Sequence, residues 1–91
     1  MAQADLAEIV EYIARDNPAA AARFGQELVA HTRRLEKFPA ISRVVPEFQI
    51  QTLRELIHGA YRIVYQIDDA QKQVAVARFW HAARGTPEVQ G

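Results

Sequence analysis

Apolar residues in the first forty positions recur at helical spacing. Leu6, Ile9, Val10 and Ile13 fall on one face, three and four residues apart. Asp5 and Glu8 stand near the start of this segment, where the positive end of a helix dipole favours acids. Glu11 precedes Arg15 by four residues, the better order for an ion pair along a helix. The pattern stops at Asp16-Asn17-Pro18. Proline disfavours helical geometry in the residue before it but suits the first turn of a new helix, which Asp16 or Asn17 can cap. Ala21, Phe24, Leu28 and Leu35 form the apolar stripe of that second helix, and Arg33, Arg34 and Lys37 sit at its negative end. The spacing therefore predicts helices over about 5–16 and 18–37, joined so closely that they must be antiparallel neighbours.

Pro39 and Pro46 break the pattern between Phe38 and Gln51, which leaves a loop with room for a short extended piece at Arg43-Val44-Val45. Beyond it the period changes to two. Residues 52–57, 61–67 and 73–80 are β-rich, with Tyr61, Ile63, Tyr65 and Ile67 alternating with Arg62, Val64 and Gln66. The separators His58-Gly59-Ala60 and Asp68-Asp69-Ala70-Gln71-Lys72 suit hairpins. The expected fold is α+β: an N-terminal antiparallel helical hairpin packed on one face of a three-stranded antiparallel β-sheet, in a single domain over 1–91.

Composition narrows the chemistry. Eleven Lys/Arg balance eleven Asp/Glu, so no net field marks a nucleic-acid binder. The absence of cysteine excludes disulfides, thiolate metal sites and cysteine nucleophiles. No apolar run approaches the roughly 20 residues of a membrane span and no signal peptide opens the chain, so a cytoplasmic location is expected. His31, His58 and His81 lack the paired spacing of a metal site, and His31 and His58 are expected to be surface or capping residues. There is no phosphate loop and no nucleophile elbow, and neither metal nor cofactor is implied.

Two features remain. Arg54, Arg62 and Arg78 lie on three different expected strands, followed by His81 and Arg84. Neighbouring strands are about 4.8 Å apart, so these side chains can converge on a phosphate or carboxylate if register and facing agree. The alternative is a solvated sheet face whose arginines pair with Glu47, Glu55 or Asp68. Alternation places Arg62 away from the helix-covered face. The second feature is the last strand, where Val74, Val76 and Trp80 alternate with Ala75, Ala77 and Phe79. A strand apolar on both sides is covered twice or awaits a partner.

The order of these segments resembles the RelE/ParE family of bacterial type II toxins, and its ParE branch more closely. Asp5-Leu6-Ala7-Glu8-Ile9-Val10-Glu11-Tyr12-Ile13 is similar to that family's first helix, and Asn17-Pro18-Ala19-Ala20-Ala21 to the start of its second. Leu35 to Pro39, Arg43 and Pro46-Glu47 follow in the family's order. Arg54-Glu55-Leu56, Tyr61-Arg62-Ile63-Val64-Tyr65 and His81-Ala82-Ala83-Arg84 resemble its strand and C-terminal motifs. Two departures stand out. Ser42 occupies a position where glycine is common, and the sequence opens almost at the helix, where the family has a strand. A sheet lacking that first strand would keep an uncovered edge, which predicts self-association of the bare protein.

The resemblance implies a toxin neutralised by a cognate antitoxin, oligomeric with it, and directed at DNA gyrase. Arg54, Arg62, Arg78, His81 and Arg84 would then meet the target, and Leu28, Leu35, Val74, Val76 and Trp80 the antitoxin. RelE-like relatives instead cut messenger RNA on the ribosome. That alternative would use His81 as acid or base, Tyr61 or Tyr65 as support, and Arg62 or Arg84 on the phosphate. The zero net charge and the lack of a lysine cluster near the sheet favour the gyrase-directed reading, in which the protein acts by binding. A third alternative is a non-toxic, degenerate relative.

Overall fold

In the computed structural model, which describes residues 2–89, α1 spans Ala2–Asp16 and α2 spans Pro18–Lys37. Asn17 is the only residue between them. Its extended backbone and a side-chain bond of 3.0 Å from the Ala20 amide cap α2, with Pro18 in the first turn. Asp16, the other expected cap, closes α1 instead. Ala21, Leu28 and Leu35 are buried, seven residues apart along the inner stripe of α2. The helix ends where the Phe38 amide bonds back to the Arg34 carbonyl and Pro39 begins a 3-10 turn over Pro39–Ile41.

The sheet has four strands, β1 (Arg43–Val44), β2 (Leu53–His58), β3 (Tyr61–Asp68) and β4 (Gln73–His81), in the order β1-β2-β3-β4 and antiparallel throughout. The sheet thus has one strand more than the three expected, and β1 falls on the short extended piece allowed at Arg43-Val44-Val45. Caught between Pro39 and Pro46, it pairs only Arg43 with Glu55 and Val44 with Arg54, too short a run to show alternation.

Partners in an antiparallel ladder share a face. Leu35 of α2 packs on Tyr65 and Ile67, with Val74 beside them, on the helix-covered face. On the other face Val45, Leu53 and Val64 form a second cluster with Ala77 and Val89. The loop after β1 and the C-terminal tail thus cover the side expected to be solvated, and Pro87 in that tail is fully buried. A bulge interrupts β4: Val64 faces Arg78 and Tyr65 faces Val76, so Ala77 is the extra residue. Strict alternation would put Val74, Val76 and Trp80 on one face. The bulge puts Val74 and Val76 on the helix side, and Trp80, paired with Arg62, on the other.

The outer edge of β4 is met by α1. Asp5 Oδ2 accepts from the Phe79 amide at 3.2 Å and from Arg78 Nε at 2.6 Å. Among the described residues no helix is long and apolar enough to cross a membrane.

Candidate functional site

The five basic residues expected to converge are divided between the two faces. Register places Arg62 and Arg78 on the tail-covered face, and Arg54, paired with Tyr65, on the helix-covered one. His81 shares the helix-side row with Tyr61, while Arg84 follows β4 in a 3-10 turn over Ala82–Arg84. One ligand therefore cannot be met by all five side chains.

Arg62 is 7% exposed. Its Nε donates to Glu55 Oε1 at 2.6 Å, and its terminal nitrogens donate to Glu47 Oε2 at 2.7 Å and Oε1 at 2.6 Å. A bond to the Gly85 carbonyl uses a fourth donor direction. Glu55 is itself buried and also accepts from Arg43 Nε at 2.7 Å. The fork on Arg62 holds the Glu47 carboxyl down at about 2, and the two carboxylates raise the guanidinium's affinity for its proton. These charges pin the loop after β1 to the sheet, and they leave Arg62 without a free donor fork for a target.

Arg78 is engaged likewise by Asp5, which raises its pKa, and by the Glu88 carbonyl. Arg54 donates to the Gln51 and Ser42 carbonyls, tying the end of the loop it follows to the residue before β1. Arg84 differs. It is exposed, and its guanidinium lies 4.1 Å from the centroid of the Trp80 ring, with Arg78 at 4.8 Å. Trp80 is 3% exposed and donates through Nε1 to the Gly85 carbonyl. Stacking on the Trp80 ring holds the exposed Arg84 guanidinium in place at the end of β4.

On the helix side the register makes a row of His58, Tyr61 and His81 across three strands. The Tyr61 and His81 rings meet edge to face at 5.2 Å, and Phe24 of α2 lies 5.4 Å from both Tyr61 and His58. His31 continues the series, with Nε2 3.2 Å from His58 Nδ1, and His58 Nε2 stands 2.9 Å from Glu27. His31 and His58 are thus bonded to each other, where surface or capping positions were expected. The two-residue turn at Gly59-Ala60 was the available clue, since it sets His58 opposite Tyr61. His81 Nδ1 accepts from the Ala83 amide at 3.1 Å and caps the final turn. Burial, His58 and Arg34 together lower the pKa of His31.

Of the groups a ribonuclease would need, only His81 and Tyr61 come together, in a cleft of about 370 Å³ shared with Glu8, Ile9 and Tyr12. The Tyr65 side chain is buried and its hydroxyl donates to the Pro39 carbonyl. Arg62 lies on the opposite face and Arg84 beside Trp80. Among the described residues, no group of three or more metal-ligating side chains is clustered.

Leu28, Leu35 and Trp80 are core residues at 3%, 1% and 3% exposure, while Val74 and Val76 are half-buried. Large apolar side chains that do face solvent include Tyr12 on α1, and Phe38 and Ile41 beyond the end of α2. A family model described as the ParE toxin of the type II toxin-antitoxin system parDE matches residues 1–85. A search among curated proteins found no match.

Proposed function

The chain belongs to the ParE toxin family of type II toxin-antitoxin systems, and from that premise we propose that it inhibits DNA gyrase and is neutralised by a cognate antitoxin. The family match over residues 1–85 carries this reading. Arg84 and His81, at the end of β4, are the target-facing residues of the reading. Arg54, Arg62 and Arg78 shape the surface from beneath, because their donors are taken by protein partners. Exposed Phe38 and Ile41, and separately the half-buried Val74 and Val76, supply apolar surface of the kind an antitoxin segment covers. The complex with antitoxin is oligomeric in this reading, and the protein works in the cytoplasm.

The second reading, a ribosome-dependent ribonuclease, is favoured by the cleft joining Glu8, Tyr61 and His81. It lacks an arginine beside those groups to hold a phosphate. Purified gyrase and relaxed plasmid separate the two. Loss of supercoiling with accumulation of protein-linked linear DNA supports gyrase poisoning. Unaffected supercoiling together with blocked cell-free translation would replace it with the ribonuclease.

A further inference from the structure

A second cleft, of about 250 Å³, opens between the last turns of α2, the 3-10 turn and β2. It is lined by His31, Arg34, Leu35, Ile41, Ser42 and Leu56. Leucine and isoleucine make its walls, and the polar groups on it are two basic side chains and one hydroxyl. Ser42 Oγ is buried in this wall with no hydrogen-bond partner, an unmet group of a kind that structures rarely leave. Arg34 is exposed on α2, where charge complementarity calls for an anion.

The hydrogen-bond chain behind the cleft sets which proton His31 offers. Glu27 accepts from His58 Nε2, and with His58 Nδ1 assigned as the acceptor of the second contact, His31 donates to it through Nε2. That leaves Nδ1 as the ring nitrogen of His31 without a protein partner among the described residues. A carboxylate in the cleft would draw a proton onto Nδ1 and receive it as a hydrogen bond. The ring could then carry positive charge between the ligand and the Glu27–His58 pair.

We infer that this cleft is the anchor point for one glutamate side chain of the antitoxin, its methylenes on Leu35, Ile41 and Leu56 and its carboxylate on Arg34 and His31, with the Ser42 hydroxyl turning out of the wall to meet it. The occupant is an acidic side chain on an apolar stem because the cleft joins a basic rim to aliphatic walls at the volume of one or two side chains. Ile41 on its wall is itself exposed, so the segment that delivers the glutamate also covers apolar surface. The identity of the donor as antitoxin rests on the toxin reading above; the chemistry of the cleft does not.

The test uses the full chain and two probes, acetyl-Leu-Glu-Leu amide and its glutamine counterpart, followed by NMR. The glutamate peptide should bind at least about tenfold more tightly, the worth of a charge-assisted pair. Shifts should centre on His31, Arg34 and Ser42. Arg34→Gln and His31→Gln should each erase the preference, and Ser42→Gly should reduce it. Binding should strengthen from pH 8 towards pH 5.5 as the anion raises the pKa of His31 against His58, Arg34 and burial, with Glu27 assisting. Equal binding of the two peptides, no shift at millimolar peptide, or shifts elsewhere would overturn the anchor. A separate measurement addresses the donor: Arg34→Glu should weaken the antitoxin complex while gyrase inhibition persists. If that variant keeps its antitoxin affinity and loses inhibition, the cleft belongs to the target and the assignment falls. If wild type binds no antitoxin at all, the toxin reading falls, and the peptide result stands alone.

Discussion

Asp5 reaches from the first turn of α1 to Arg78 on β4 and closes two bonds of 2.6 and 2.8 Å with its guanidinium, while also accepting the Phe79 amide. The carboxylate serves three donors at once, and both side chains are 12% exposed. One of those donors is a backbone amide of β4. Asp5→Ala should cost about 3 kcal/mol, the loss expected when a largely desolvated pair is broken from one side. Freed from α1, β4 should also pair with other chains. Urea unfolding gives the first number, and light scattering across a concentration series reports the second. A variant that is as stable as wild type and no more associated would remove Asp5 from this role.

How much of this was legible in the sequence follows from the reach of each interaction. The stripe of Ala21, Leu28 and Leu35 and the cap at Asn17 are local, set by a period and by one proline, so the helices emerge within a few residues of their expected ends. Strand positions follow for the same reason. The Asp5–Arg78 pair joins residues 73 apart and has no local trace. The bulge at Ala77 is equally silent, because an alanine suits either face, yet it moves Trp80 across the sheet relative to Val76. Reading all the arginines as one site failed on facing: the β2–β3 register sets Arg54 with Tyr65 and away from Arg62, and the bulge decides only that Arg78 joins Arg62. Facing depends on register and bulges, whereas the pairing of Arg62 with Glu47 and Glu55 was among the alternatives that charge alone allowed.

Glu55 lies 1% exposed between Arg62 and Arg43. Glu55→Gln keeps the shape but removes the charge that offsets the buried guanidinium. It should cost about 3 kcal/mol, the lower end for breaking a buried pair, since Glu47 still holds Arg62. Chemical denaturation of the two proteins at neutral pH supplies the comparison. A loss within the error of the fit would mean that Glu47 alone satisfies Arg62.

Acid should loosen the loop after β1 at a defined point. Glu47 has a folded pKa of about 2 against an ordinary value of 4.5, so its contribution is complete above about 4.5 and disappears as pH falls towards 2. His31 acts at a higher pH. Its folded pKa lies below 6.5, so the unfolded chain takes up the proton first and stability declines as pH falls below 6.5. Glu47→Gln should flatten the stability profile in the acidic window alone, and His31→Gln should flatten it just below 6.5. Melting curves collected across both windows test the assignments separately, and a wild-type profile in either variant would contradict its assignment.

Gly85 has φ 81° and ψ −136°, a backbone region that side chains disfavour, and its carbonyl accepts from both Arg62 and Trp80. No atom crowds the position of a Cβ, so the penalty of Gly85→Ala is conformational. It should be about 1–3 kcal/mol, accompanied by a change in tryptophan fluorescence as the carbonyl shifts away from Trp80. Unchanged emission with unchanged stability would show that the turn accepts alanine.

Arg62 and Arg84 separate a folding effect from a target effect. Reversing Arg62 to glutamate sets three carboxylates together beneath the tail, so any loss of gyrase inhibition would come with a loss of structure. Arg84→Glu removes only the stacking on Trp80, worth about 0.5–1 kcal/mol at an exposed site, and leaves the ion pairs intact. In the gyrase reading, this variant should therefore melt within a few degrees of wild type and fail to block supercoiling. His81→Ala should lower the inhibition only in part and less than Arg84→Glu does, because His81 faces the target beside Arg84 and caps the final turn but supplies no chemistry to a protein that acts by binding. Supercoiling and melting measured on the same preparations decide the matter. A folded Arg84→Glu protein with full inhibition would move the target surface elsewhere, and abolition by His81→Ala alone would return the weight to the cleft with Glu8 and Tyr61.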